Sequence, residues 1–200
     1  MLSLIPKERL EFLVKNLLDE NGFLSPGGIR ALSKYHKEHP YSVTVDGHEH
    51  SIQYDPGDST SDMFGGNSNW RGPVWMPINF LIIQSIRRYG EFYGDSLLVD
   101  YPTGSGIKMN LIQVARELTK RVISLFEKDS SGQRKCYGEY NSFYQQPGNE
   151  HLVPFFEYFH GDTGRGLGAS HQTGWTALVA ELISEYGAEQ SEERRPAQAI

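Results

Sequence analysis

Two stretches carry the side chains that could do chemistry. In Phe155-Phe156-Glu157-Tyr158-Phe159 a carboxylate sits among aromatics, and a glycine-rich loop with Asp162, Thr163, Arg165, His171 and Gln172 follows before Trp175. In Trp70-Arg71-Gly72-Pro73-Val74-Trp75 two indoles flank a guanidinium, and Asn79 comes one helical turn later. Carboxylates, amides, guanidinium groups and flat aromatic faces are what a sugar site is made of. A pyranose offers an apolar C–H face to an indole and a rim of hydroxyls to Arg and Asn. By residue type alone the plainer readings stay open. Glu157 is then a surface carboxylate beside a helix, Arg30 a solvated loop residue, and the tryptophans core.

The elements that must position these residues follow from periodicity. Lys7 to Asn21 reads as a helix, with Leu10, Leu13, Val14, Leu17 and Leu18 on one face. Tyr41–Val45 and His48–Tyr54 alternate around Asp46-Gly47, which predicts a β-hairpin. Val74 to Tyr93 is apolar nearly all round, so it is expected to be buried on most sides. Asn110 reads as an N-cap for an amphipathic helix running from Leu111 to Glu127. A last helix is expected from Trp175 to Tyr186, and residues 187–200 turn charged and small, as a frayed tail does. Gly94 to Met109 and Asp129 to Asn149 read as loops. The sum is an all-α chain with long loops and one small hairpin, and such loops usually carry function.

Composition narrows the partners. Of 200 residues 38% are hydrophobic and 12% aromatic, which suits one domain with a core. A net charge of -6 argues against nucleic acid or an anionic membrane and suits a neutral substrate. The single cysteine, Cys136, excludes an intrachain disulfide. The short apolar start, Met1 to Pro6, does not read as a secretory signal, and no apolar run is long enough to span a bilayer; a cytoplasmic location is expected. His36, His39, His48 and His50 lack the cysteines or helical spacing of a zinc site, so no metal or other cofactor is expected.

Three loops, taken in order, resemble glycoside hydrolase family 63, the processing α-glucosidase I family with its bacterial mannosylglycerate-hydrolase-like relatives. They are Gly28-Ile29-Arg30-Ala31-Leu32-Ser33, Trp70-Arg71-Gly72-Pro73-Val74-Trp75, and Glu157-Tyr158-Phe159 leading to Thr163-Gly164-Arg165-Gly166 and Trp175-Thr176-Ala177. The resemblance covers the chain from the first helix to Tyr186. It implies an inverting hydrolase of α-linked gluco- or manno-oligosaccharides, with Glu157 as general base. Arg30, Trp70, Arg71, Trp75, Asn79 and Trp175 would bind substrate. It also implies a toroid of helix pairs, (α/α)6, of which residues 1–186 would be a C-terminal portion. The family's general acid is an Asp on a segment upstream of the Gly-Ile-Arg loop. Only Asp19 lies there, at the end of a scaffold helix, and it does not match the acid's motif. Asp55, Asp58 and Asp62 take no role from the family. The expected partners are therefore an oligosaccharide and the missing N-terminal part of the catalytic domain. A non-catalytic sugar-binding helical module using the same tryptophans is the second reading, and a purely structural helical domain the third.

Overall fold

A computed structural model describes residues 3, 5–61 and 69–193 of the chain. Its elements in order are helix α1 (Lys7–Leu17), strands β1 (Leu24–Ser25) and β2 (Gly28–Ile29), and the hairpin β3 (Tyr41–Val45) and β4 (His48–Ile52). Helix α2 (Met76–Tyr93), strands β5 (Leu98–Asp100) and β6 (Lys108–Asn110), and helix α3 (Leu111–Ile123) follow. The last third holds α4 (Asn141–Tyr144), β7 (Tyr158–Phe159), β8 (Gly166–Leu167), α5 (Thr173–Thr176) and α6 (Leu178–Glu193). The protein is mostly helical, with four two-stranded antiparallel sheets among the described residues. The all-α expectation is corrected to that extent.

Helix α3 is the centre of the core. Leu111, Val114, Ala115, Leu118 and Val122 are all buried, as the amphipathic pattern predicts. The helix packs on α2 and α6 and against the β1–β2 turn. Asn110 starts it with a full capping box. Its Oδ1 accepts the N–H of Gln113 at 3.0 Å, and the Gln113 side chain accepts the N–H of Asn110 at 2.9 Å. The last helix is broken after Thr176, and it continues through Gly187 to Glu193, where composition predicts a tail.

Helix α2 departs from expectation on one side. Met76, Ile83 and Ile86 are buried, but Ile78 and Leu81 are exposed. Together with Leu13 and Leu17 of α1 they line an apolar groove of about 480 Å³. A pattern that is apolar all round calls for neighbours all round, and among the described residues α1 borders this flank without covering the groove.

The three motif loops meet in the backbone. Val74 forms antiparallel bridges with both Arg30 and Phe159. The N–H of Val74 donates to the Phe159 carbonyl at 2.8 Å, and the return bond is 2.9 Å. The N–H of Ala31 donates to the Pro73 carbonyl at 2.9 Å. Residues distant in sequence are thereby locked into one small ladder, which fixes Glu157 relative to Trp75.

Candidate active site

Trp75 stands immediately before α2 in an extended conformation and is only 1% exposed. Its indole N–H donates to the Asn69 carbonyl at 2.9 Å, so its polar edge is satisfied inside the protein. The Trp70 ring stacks on it at 3.9 Å and 2°, Tyr158 at 4.7 Å and 25°, and Trp175 meets it edge-on at 5.5 Å. Trp70 and Trp175 remain 40% and 38% exposed. The cluster therefore has a buried centre and two indoles open to solvent. Offset aromatic stacking holds such a platform rigid at small entropic cost.

Glu157 is half-buried at the edge of this cluster, one residue before β7. Its N–H donates to the Ala169 carbonyl at 2.9 Å, and its Oε2 accepts the Ala169 N–H at 3.1 Å. This two-way tether aims the carboxylate. Gly168 makes it possible. Its φ is +69°, and a Cβ there would stand 2.6 Å from Glu157 Oε2 and 2.8 Å from the Tyr158 ring. Tyr158 is buried, and its phenol is pushed up to about 12 by burial and by the carboxylates of Asp58, Glu157 and Asp55. Three carboxylates thus act on one phenol beside the tryptophan platform.

The other expected sugar contacts are turned inward. Arg30 is buried. Its Nε donates to the Tyr54 hydroxyl at 3.0 Å, its Nη2 to Asp162 Oδ1 at 3.0 Å, and its Nη1 to the carbonyls of Glu20, Gly22 and Leu24. Tyr54 also donates to Asp162 Oδ1, at 2.9 Å. Arg71 is buried too. It reaches Asp55 at 3.4 Å and the hydroxyls of Ser59 and Ser61 at 2.8 and 3.0 Å. Asn79 donates to the carbonyls of Ile29 and Trp75 and accepts the Ile29 N–H at 2.7 Å. The structure thus places Arg30, Arg71, Asn79 and Trp75, four of the six residues expected to bind substrate, in the interior with partners inside the protein. Their polar atoms satisfy backbone carbonyls, N–H groups, hydroxyls and the carboxylates of Asp55 and Asp162, and the Trp75 ring backs Trp70 and Trp175; these two and Glu157 stay accessible. A buried polar atom left unpaired costs more than a lost sugar contact, so the loops spend these side chains on themselves.

Asp55 is committed to this bracing. Its Oδ2 accepts from the N–H and hydroxyl of Thr60 as well as from Arg71. Asp58 is exposed and pairs with Arg165 at 3.4 Å. Asp62 lies outside the described residues. Sequence reading missed Tyr54 and Asp162 as partners of Arg30. The Asp-Thr-Gly loop signalled something built, but nothing in the sequence says that its acid meets an arginine 132 positions away.

His160 adds a pH dependence to the bracing. Its Nδ1 accepts the N–H groups of Asp162 and Thr163 at 3.1 and 3.3 Å, so that nitrogen must be unprotonated. Burial holds the imidazole below its usual range, with Arg165 adding to the effect against the pull of Asp162, Asp58 and Asp55. The unfolded histidine binds its proton near pH ~6.5, and the folded one only at lower pH. Stability from this group is therefore present above about pH 6.5 and lost as pH falls through the lowered folded value. Asp162 follows the same sign at more acid pH. Burial acts to raise it, but the hydrogen bonds from Tyr54 and Arg30 prevail and hold it low. Thermal midpoints are expected to fall between pH 7 and 5 in the native chain and to fall less in His160→Asn. An equal fall in both would remove His160 from the account.

With this geometry in place, comparison with known proteins supplies the class. Residues 1–176 match the model of the mannosylglycerate hydrolase MGH1-like glycoside hydrolase domain, and the chain belongs to that family. It is 54% identical over 189 residues to an uncharacterized protein of Saccharomyces cerevisiae, YMR196W, covering 94% of this chain and 17% of that protein. It is 27% identical over 188 residues to the mannosyl-oligosaccharide glucosidase of the same yeast, covering 92% of this chain and 16% of that one. It is 28% identical over 190 residues to a probable mannosyl-oligosaccharide glucosidase of Schizosaccharomyces pombe, covering 92% and 17%. The family 63 resemblance read from the three loops is thereby borne out. The chain spans roughly a sixth of the length of these curated relatives.

Proposed function

We propose that this chain is the base-bearing part of an inverting glycoside hydrolase domain acting on α-linked gluco- or manno-oligosaccharides. The observation that carries the reading is the placement of Glu157. It is a half-buried carboxylate aimed by its tether to Ala169, next to a tyrosine that is itself part of an aromatic platform with two open indoles. Inversion requires two carboxyl groups about 6.5–9.5 Å apart, one to protonate the leaving oxygen and one to take a proton from the attacking water. In this reading Glu157 is the second, Trp70 and Trp175 carry a sugar ring, and the acid comes from the rest of the domain. The apolar groove between α1 and α2 supports an incomplete (α/α) toroid, since further helices laid there would bury Ile78, Leu81 and Leu13. Among the described residues no helix is long and apolar enough to cross a membrane.

The open tryptophans also favour a second reading, a carbohydrate-binding module without chemistry. Both readings predict that maltose or an α-mannobiose changes the indole emission, and that Trp70→Ala weakens binding about 3- to 10-fold. Unchanged emission at saturating sugar would remove both. Turnover, argued in the Discussion, separates them.

A further inference from the structure

Beside the tryptophan cluster lies a second hollow of about 530 Å³, walled in part by Tyr140, Phe143, Tyr144, Arg165 and Asp58, with the Gly166–Gly168 backbone along its side. It adjoins the first site at three points. Leu167 packs against Trp75 and Tyr158 and also lines the hollow. Asp58 lines it and acts on the Tyr158 phenol. Gly168 and Ser170, on either side of the residue that tethers Glu157, line it as well.

Its walls are built. Gly138, at φ +52°, gives its space to the Arg165 stem, whose side-chain carbons come within 2.5 Å of where a Cβ would be. The guanidinium is then divided between two acids, Glu139 at 2.7 Å and Asp58 at 3.4 Å. Tyr140 and Phe143 are 57% and 48% exposed, while Tyr144 stacks on the buried Tyr137 at 4.1 Å and meets Phe143 edge-on at 5.2 Å.

The chemistry of this rim selects its ligand. One guanidinium against two carboxylates leaves no net positive charge for a phosphate or a carboxylated ligand. Two open aromatic side chains beside one guanidinium, one carboxylate and the Ser170 hydroxyl fit a neutral ring with hydroxyls at its edge. The volume is that of an ordinary small-molecule site. We infer that this hollow is a second sugar subsite, taking the neutral ring joined to the one held at Trp70 and Trp175. Tyr140 and Phe143 would stack on it, and Arg165 and Asp58 would meet its hydroxyls. The inference rests on the glycosidase reading and extends it to a substrate of at least two neutral rings that passes Glu157.

The test is a titration of the 200-residue chain with maltotriose, followed by amide and indole signals in ¹H–¹⁵N spectra. The amides of Gly166, Gly168 and Ser170 report the hollow, and the three indoles report the platform. Shifts at both are expected. Tyr140→Ala and Phe143→Ala are expected to weaken maltotriose about 3- to 10-fold, with the affinity for methyl α-glucoside at the indoles unchanged. Both side chains are half exposed, and unaltered indole positions without sugar will show that the fold is kept. Shifts at the indoles alone, or variants that bind maltotriose as the native chain does, would overturn the subsite and leave the proposed function standing. Shifts in the hollow alone would leave the subsite and remove the platform; silence at both would remove the two together.

Discussion

Replacing Glu157 by Gln in the assembled catalytic domain is expected to cut turnover by about 10²–10⁴-fold while leaving sugar affinity nearly unchanged. The side-chain oxygen that accepts the Ala169 N–H at 3.1 Å has a counterpart in the amide, so the tether and the shape of the site survive. What is lost is the ability to take a proton from water. The loss should therefore fall on kcat, with KM little changed. Steady-state rates on an α-glucosidic oligosaccharide, with binding measured separately on the inactive variant, provide the check. A variant within about threefold of native turnover would strip Glu157 of its role and leave the sugar-binding module as the better account.

The second large effect is on stability. Arg30→Met is expected to cost about 2–3 kcal/mol: the guanidinium is buried, but Asp162 is 34% exposed, so water softens the ~3–5 kcal/mol loss of a fully buried ion pair. The guanidinium satisfies a tyrosine, a carboxylate and three backbone carbonyls at once, and a thioether satisfies none of them. In a chain of this size that loss lowers the thermal midpoint by roughly 4–12 °C. Arg30→Lys is expected to recover only part, because an ammonium has three donors in place of a five-donor fork. Asp162→Asn added to Arg30→Met should cost less than the sum of the two, since the carboxylate no longer has its cation. Calorimetric or denaturant unfolding of the four proteins gives the cycle. A loss under about 1 kcal/mol for Arg30→Met would mean that solvent replaces the clasp without penalty.

Where the sequence could be read, a local rule decided the outcome. The hairpin follows from Asp46-Gly47, both of which take positive φ, at 52° and 78°, as a tight two-residue turn requires. The capping box of α3 follows from Asn110 and Gln113. The small ladder joining residues 30, 74 and 159 could not be read, because strands of one or two residues have no period. The same limit hid β5 and β6 inside what reads as a loop, and the short helical turns at Lys135–Tyr140 and α4. At the site, sequence singled out the loops that meet, and the three accessible groups, Glu157, Trp70 and Trp175, are among those it named. It did not foretell the burial of Arg30, Arg71, Asn79 and Trp75, for one reason. An Arg or Asn that suits a sugar hydroxyl suits a backbone carbonyl equally well, and only burial distinguishes the two. Helix α2 taught the converse, since its pattern called for cover on a side where the described residues offer none.

The clasp between Arg30 and Asp162 has a consequence for the order in which the molecule forms. It closes a loop of 132 positions, and the Val74–Phe159 bridge closes another long one. Contacts so far apart must meet a chain-closure entropy before they return any energy, whereas α3 and its cap form from neighbours in sequence. The helical core is therefore expected to condense first and the sugar-facing loops to be drawn together last. During synthesis the first two motif loops emerge well before the segment carrying Glu157 and Asp162, and they wait for it. Until it arrives Arg30 has no anion and Trp75 no stacked tyrosine, so the nascent chain holds its aromatic side chains and its unpaired arginine open to whatever binds unfinished proteins.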